Sequence, residues 1–313
     1  VKRIVLAGAG HAHIVALRRF AKTRQDAEII LINDGQYAWY TGALPALIRR
    51  DISEGQARLD VSALAAKCGA VFVDAVYRGY TVRGEGGIFV SCAAHEGIVC
   101  DALSLSIGGE KIPGGVKPIP DFLARLKRLD EISAPGIGIV GGGAAGVEIA
   151  LAMRVRLPSA RIYLRTSHDM ILPGAPPGAR RIARAVLGAA RIVITQSLPE
   201  PLDDIIHAYT PAPALCIRPT LQLTTRDNIF AAGDCALFSP TLPRAGAIAV
   251  RQGRVLAHNL THPALQSFKP PAHILAILSL NAREALGWYG GFYLRGRLPM
   301  RIKTWLDGRW LGW

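Results

Sequence analysis

The chain has 313 residues, half of them hydrophobic and 19% charged, which is apolar material for a large core and excludes a disordered chain. Its formal charge is +14, from 37 Lys and Arg against 23 Asp and Glu. The basic residues are scattered singly with no nucleic-acid motif, so nucleic acid is excluded as a partner and anionic cofactors or an anionic membrane surface are favoured.

No apolar run reaches the roughly 18 to 20 residues that cross a bilayer. The first apolar run breaks into glycines with no cleavage site after it, so a cytoplasmic protein, at most peripheral on the inner face of a membrane, is expected. Five cysteines, Cys68, Cys92, Cys100, Cys216 and Cys235, show neither C-x-x-C nor zinc spacing, and free thiols without a metal site are expected.

The chain opens with Ile4-Val5-Leu6, then Gly8-Ala9-Gly10, then a segment of helical character. A buried strand, a tight glycine turn and a helix make a dinucleotide-binding crossover. The glycines let the backbone approach a pyrophosphate, and the first helix amides neutralise its oxygens. The third glycine of G-x-G-x-x-G is replaced by His13. A second strand, Ala27 to Ile32, ends at Asn33-Asp34, about where such a fold bonds a ribose hydroxyl. A strand-ending Asn-Asp-Gly turn accounts for the same letters.

Tyr37 to Leu47 reads as an aromatic loop and Gly69 to Val76 as an apolar strand. Gly79 to Ala102 reads as a β-meander and Asp101 to Ile107 as a strand closed by Gly108-Gly109. Pro118 to Leu129 carries Phe122, Leu123, Leu126 and Leu129 at helical spacing. The opening device then repeats in full: the strand Ile137 to Val140 runs into Gly141-x-Gly143-x-x-Gly146. The next strand ends at Arg165, where an acidic residue would bond the 2′-hydroxyl of NAD. An arginine there accommodates the 2′-phosphate of NADP, which tilts the reading toward NADPH, although a solvated arginine fits too. Ile192 to Ile194 is a strand, but Ser197 to Ala214 is proline-rich and short for the rest of a nucleotide domain, and loops absent from the sequence are expected there.

Thr224 to Cys235, TTRDNIFAAGDC, completes a pattern. With the two glycine turns it resembles the pyridine nucleotide-disulfide oxidoreductase superfamily. GAGHAHIVALRRF, YTGALPALI, KPIPDFLARL, GGGAAGVEIAL, IFAAGDCA and RAGAIAVRQGRVLAHNL resemble its NADH-dehydrogenase-like subgroup, the type found alone or fused to selenide, water dikinase. That subgroup is related to type II NADH:quinone and sulfide:quinone oxidoreductases, and GHAH at 10–13 is one of its features.

The resemblance implies an α/β fold of two Rossmann-like dinucleotide-binding domains, for FAD and NAD(P), the second inserted in the first, plus a C-terminal segment. The FAD domain would comprise residues 1–117 and 215–268, the NAD(P) domain 118–214, and an interface or membrane-surface segment 269–313. FAD would lie on Gly8, Ala9, Gly10, His11, Ala12, Asn33, Thr41, Gly42, Pro45, Val76, Gly108, Gly233 and Asp234, with the helix from Ala245 aimed at the flavin. NADPH or NADH would lie on Gly141, Gly143, Gly146, Glu148 and Arg165.

No cysteine pair occurs around Tyr37 to Leu47, so a thiol–disulfide relay is not expected. A hydride from NAD(P)H to flavin, with electrons passed to a quinone or other small acceptor, needs no protein nucleophile. The alternatives are a sulfide- or selenide:quinone oxidoreductase using a cysteine persulfide, and a non-catalytic flavin-binding redox sensor. Cys235, next to Asp234, is the candidate redox thiol or a small buried residue; Gln252 is a quinone-side residue or helix surface. Trp288, Trp305, Trp310 and Trp313 mix with arginines in the tail, which fits a helix in the headgroup layer or one capping the core. A homodimer is compatible with the resemblance.

Overall fold

The structure is a computed structural model that describes residues 1–23, 26–84, 87–167, 170–211 and 213–312. Trp313 and residues 85–86 of the expected β-meander lie outside the described residues. The chain opens with β1 (Lys2–Ala7), α1 (His11–Phe20), β2 (Ala27–Asn33), β3 (Tyr37–Trp39), α2 (Leu44–Ile48) and β4 (Arg58–Asp60). There follow α3 (Val61–Lys67), β5 (Val71–Asp74), β6 (Val76–Arg83), β7 (Gly87–Ala93), β8 (His95–Cys100) and β9 (Ala102–Leu105). The middle carries α4 (Ile119–Asp130), β10 (Gly136–Val140), α5 (Ala144–Arg156), β11 (Arg161–Arg165), α6 (Pro177–Ala189), β12 (Ile192–Thr195) and β13 (Asp204–His207). The remainder is β14 (Leu215–Ile217), β15 (Gln222–Leu223), β16 (Arg226–Ala231), β17 (Ala236–Phe238) and α7 (Gly246–Thr261). The chain closes with β18 (Ala276–Ser279), β19 (Ala285–Tyr289), β20 (Phe292–Gly296) and α8 (Arg297–Leu311).

Two compact units result, one of Val1–Ala38, Leu59–Glu110 and Pro211–Pro271, the other of Trp39–Arg58, Lys111–Thr210 and Ala272–Trp313. Both are α/β, each built on a sheet with parallel strands. The divisions fall a few residues from the expected 117/118, 214/215 and 268/269. The second unit also takes in residues 39–58 and the C-terminal segment.

Unit 1 is built on a sheet of order β17-β14-β15-β16-β9-β1-β2-β5, in which β16, β9, β1, β2 and β5 run parallel. A parallel strand covered on both faces is a continuous apolar run rather than an alternating one. Ile4 to Ala7 obey this and are fully buried. β2 lies on one side of β1 and β9 on the other, so strand order reverses at β1. The crevice beyond the carboxyl ends at such a switch point is where α/β sheets take ligands. α1 packs directly on α7: a Cβ on Gly253 would come within 2.5 Å of the Ala12 carbonyl oxygen. β6, β7 and β8 form the expected antiparallel meander.

Unit 2 carries the all-parallel sheet β12-β11-β10-β13, with its own reversal at β10. The stretch from Ser197 to Ala214, expected to be too short for the rest of a nucleotide domain, contributes β13. Within β13 only Ile205 and Ile206 are apolar, too few to mark a strand by periodicity. α4 buries Ile119, Phe122, Leu123, Leu126 and Leu129, the expected face. The C-terminal segment is more than a helix: β18, β19 and β20 form an antiparallel sheet that precedes α8. Leu278, Leu286 and Leu311 share one apolar cluster with Leu47, Ile48, Ile149 and Met153, which explains why 39–58 and the tail belong to this unit. Among the described residues no helix is long and apolar enough to cross a membrane.

Candidate nucleotide sites

In unit 1, Gly8 takes φ +84°, and its amide donates to Ile32 O at 2.8 Å. A Cβ there would stand 2.7 Å from Ser106 O, and one on Gly10 would stand 2.2 Å from Ser106 Oγ. The turn is therefore drawn so tightly against Ser106, just past β9, that no side chain fits. The Gly10 amide donates to Ser106 O at 3.1 Å. Gly10 is the extended N-cap of α1, which has no side-chain cap and no acidic residue in its first turn. Such a helix end presents unpaired amides and the positive end of a dipole, a site for a phosphate.

His13 replaces the third glycine by bridging rather than by leaving room. It is fully buried, with Nδ1 2.5 Å from Gly8 O and Nε2 2.7 Å from Ser104 Oγ. A carbonyl only accepts, so Nδ1–H donates to Gly8 and Nε2 accepts from the Ser104 hydroxyl. Burial pushes its pKa down to about 4, against a smaller upward pull from Gly8 O, and the ring is neutral at pH 7.

Asn33 holds the turn from the neighbouring strand. Its Oδ1 accepts from Ala9 N at 2.9 Å and its Nδ2 donates to Gly35 O at 2.8 Å. The side chain expected to bond a ribose hydroxyl thus engages protein backbone. Gly233, at φ +80°, donates its amide to Gln252 Oε1 at 2.8 Å, and Gln252 is buried. Gln252 is therefore no surface glutamine, and it positions the turn that carries Asp234. Gly233, Asp234, Ala245 and Gln252 line one hollow, together with Arg244 and Ala249. His11 lies beside the first residue of α7, its Nε2 3.4 Å from where a Gly246 Cβ would be.

Cys235 is buried, its thiol 3.5 Å from the Leu105 and Ala232 carbonyls, and burial pushes its pKa up. A buried, protonated thiol is a poor nucleophile. Val76 opens β6 just after Ala75, whose amide donates to Asn33 O. Gly108 follows Ser106 at φ +76°. The structure thus gathers Gly8, Ala9, Gly10, His11, Ala12, Asn33, Val76, Gly108, Gly233, Asp234 and Ala245 in unit 1. Ser106, which sets the shape of the turn, was not singled out in the sequence. A serine after an apolar strand carries no signal of its own.

Thr41, Gly42 and Pro45 fall in unit 2. There Gly42 O accepts from Lys303 Nζ at 2.7 Å, Lys303 pairs with Asp307 at 2.7 Å, and Tyr40 OH donates to Asp307 Oδ1 at 2.8 Å. The Tyr40 ring also stacks on Trp310.

The second glycine turn sits at the unit 2 switch point. Gly141, at φ +126°, donates its amide to Arg165 O at 2.9 Å. A Cβ on Gly142 would meet Met170 O at 2.7 Å, and one on Gly146 would stand 1.8 Å from Gly141 O. Gly143, the extended N-cap of α5, has nothing within 4 Å of where its Cβ would be, so its outer side is open. α5 has no side-chain cap and no acidic residue in its first turn. Arg165 closes β11, exposed, with Nε 3.3 Å from Gln196 O.

Glu148, expected at the nicotinamide cofactor, is half-buried and accepts from Ser279 N of β18 at 2.6 Å. Burial raises its pKa to about 7, against the pull of Lys303, the Ser279 amide and Arg49. Both glycine turns fit a dinucleotide pyrophosphate, because each offers a cradle a Cβ would fill beside uncapped helix amides. In unit 2 two buried polar atoms flank the turn without partners, Thr166 Oγ1 after β11 and His207 Nδ1 at the end of β13.

No protein-family profile matches the chain. It is 24% identical over 251 residues to ferroptosis suppressor protein 1 of Taeniopygia guttata, across 64% of this chain and 67% of that protein. Its fold is similar to the sulfide:quinone oxidoreductase of Aquifex aeolicus, with TM-score 0.80, 15% identity and coverage of 99% and 90% of the two chains. It is likewise similar to NDH2 from Plasmodium falciparum in complex with NADH, with TM-score 0.77, 12% identity and coverage of 99% and 94%.

Proposed function

We propose that the chain is an FAD-dependent oxidoreductase that oxidises NAD(P)H and passes the electrons to a quinone-like acceptor. The observation that carries this reading is the pair of glycine turns. Each unit sets one at the point where its strand order reverses and at the uncapped start of a helix. FAD supplies the ring that accepts a hydride from one substrate and gives electrons to the other. In sum, NAD(P)H, a proton and a quinone become NAD(P)⁺ and a quinol.

The chain binds and orients. The turn Gly8 to Gly10 and the start of α1 would hold the FAD pyrophosphate, and the Asp234 carboxylate would accept from hydroxyls of the ribityl chain. The start of α7 would favour negative charge on the reduced ring. The second turn and α5 would hold the pyridine nucleotide. A quinone acceptor is supported by the name of the Aquifex enzyme with the same fold. The persulfide alternative loses support from the burial and raised pKa of Cys235.

The place of action is an anionic membrane surface, met by α8. Leu298, Ile302, Trp305 and Leu306 form one exposed stripe on that helix, flanked by the exposed Arg297, Arg301 and Arg309. Trp310 turns inward against Tyr40, so the tail tryptophans divide between the two roles.

Anaerobic mixing of the FAD-loaded protein with NADPH, NADH or sulfide, followed at the flavin's visible band, tests the reaction. Bleaching by a pyridine nucleotide, and reoxidation by a short-chain quinone, are expected. Bleaching by sulfide alone would move the chain to the persulfide class, and bleaching by none would leave a sensor.

A further inference from the structure

The sheet β18-β19-β20 has two outer edges, and the chain treats them differently. At β18 the Ser279 amide is taken by Glu148 Oε1 at 2.6 Å. β20 has β19 as its one strand partner among the described residues, and it lacks the features that guard an edge. It carries no proline and no lysine, and its ladder with β19 has no bulge. Its one charge, Arg295, is paired with Glu284 at 3.0 Å.

Exposure follows the faces of the sheet. Tyr293 lies opposite Trp288 on the face that packs into the unit, where a Cβ on Gly178 of α6 would run into the Tyr293 ring. Leu294 lies opposite Gly287 on the other face. α8 crosses that face at Pro299, 3.4 Å from where a Gly287 Cβ would be. The outer strand beside it is left bare: Phe292 is 85% exposed and Leu294 52%.

The turn sets the direction of the backbone groups. Gly290-Gly291, with φ +57° at Gly290, is a two-residue hairpin turn, and such a turn closes on a hydrogen-bonded pair, here Tyr289 with Phe292. Inward and outward groups alternate along an antiparallel strand. Phe292, Leu294 and Gly296 therefore bond to β19, while Tyr293 and Arg295 turn their N–H and C=O to the open edge. Another strand satisfies such an edge and covers its side chains at once.

β20 is complementary to itself. Run antiparallel with Leu294 on a two-fold axis, Tyr293 of each copy exchanges both backbone hydrogen bonds with Arg295 of the other. Ring then meets guanidinium, and no charge opposes its like. Phe292 falls opposite Gly296, which has no side chain to obstruct it.

We infer that two copies of the chain join along β20 into one continuous antiparallel sheet centred on Leu294. The two-fold stands perpendicular to that sheet, so both copies of α8 lie on the same side and meet one membrane together. That consequence rests on the membrane role proposed for α8; the pairing does not.

Disulfide trapping of the FAD-loaded full chain tests the register. Leu294 faces its own copy in a non-hydrogen-bonded pair, with Cα atoms about 4.5 Å apart, within disulfide reach. Phe292 is more exposed, but its two copies stand about 14 Å apart along the paired strands. Under mild oxidation Leu294→Cys should cross-link at least about tenfold faster than Phe292→Cys, whereas chance collision would favour the more exposed Phe292→Cys. Sedimentation of the unaltered chain should show a monomer–dimer equilibrium at micromolar concentration. Arg295→Pro removes an outward amide, leaves the ladder with β19 intact, and should weaken the dimer about thirtyfold or more. Arg295→Ala keeps that amide and should weaken it about fivefold at most. A monomer at every concentration, Leu294→Cys no faster than Phe292→Cys, or equal weakening by proline and alanine would overturn the pairing. A monomer whose Phe292→Ser variant no longer floats with vesicles would give the strand to lipid and overturn it too. A dimer that floats no better than Arg295→Pro would overturn the shared membrane face alone.

Discussion

Glu148 makes the fold's stability depend on pH in an unusual direction. The side chain is half-buried and faces Lys303 and Asp307 of α8, Arg49 after α2, Tyr40, and the Ser279 amide. Burial raises its pKa from 4.5 to about 7. Because the folded state holds this proton more tightly than the unfolded chain, the contribution is complete below pH 4.5 and is lost as pH rises to about 7. At about 1.4 kcal/mol for each pH unit between the two pKa values, the loss is about 3 kcal/mol. Glu148→Gln keeps an oxygen for Ser279 N and has nothing to titrate. The stability of the wild type minus that of the variant should therefore fall by about 3 kcal/mol between pH 4.5 and 8. Urea unfolding followed by tryptophan fluorescence reads the right unit, because all five tryptophans lie in unit 2. A difference that stays flat within about 0.5 kcal/mol across that range would refute the reasoning.

His13 in unit 1 should act in the opposite sense. Its folded pKa is depressed from 6.5 to about 4, so stability is full above pH 6.5 and falls by about 3 kcal/mol as pH drops to about 4; His13→Gln should flatten that limb in the same urea series read by far-UV circular dichroism. Gly10→Ala would set a methyl 2.2 Å from Ser106 Oγ and should abolish FAD retention on desalting, at a stability cost of about 1–3 kcal/mol. Cys235→Ala should keep FAD and NAD(P)H-driven flavin bleaching within about twofold, as stopped-flow would show, whereas a redox thiol would lose turnover. On α8, the pair Ile302→Ser and Trp305→Ser should cut flotation with vesicles rich in anionic lipid at least about tenfold, with unfolding unchanged because both side chains are exposed.

The strands that position both sites were legible because their physics is local. A parallel strand covered on both faces must be a continuous apolar run, and a turn that admits no Cβ must be glycine. Ile4 to Gly10 and Ile137 to Gly146 satisfy both demands within a few residues. β13 was hidden because two isoleucines are no period. β18 to β20 were hidden because the tail is legible only as scattered Trp and Arg, while its apolar residues face partners far back in the chain, such as Ile149. Ser106 and Thr166 were hidden for another reason. Each matters through what surrounds a glycine, and a glycine does not announce which neighbour crowds it.

Three side chains assigned to ligands by the resemblance share one outcome. Asn33, Gln252 and Glu148 each accept a hydrogen bond from a backbone amide: Ala9, Gly233 and Ser279. A glycine turn or a strand end has amides that regular structure leaves unpaired, and a buried unpaired amide is costly. Polar side chains near such turns therefore serve the backbone first, and spacing cannot tell that duty from ligand contact. His13 follows the same rule with the opposite polarity, giving its proton to the Gly8 carbonyl. Arg165 stands apart: it lies at a strand end, exposed, with a guanidinium whose geometry a backbone carbonyl at 3.3 Å leaves mostly unused.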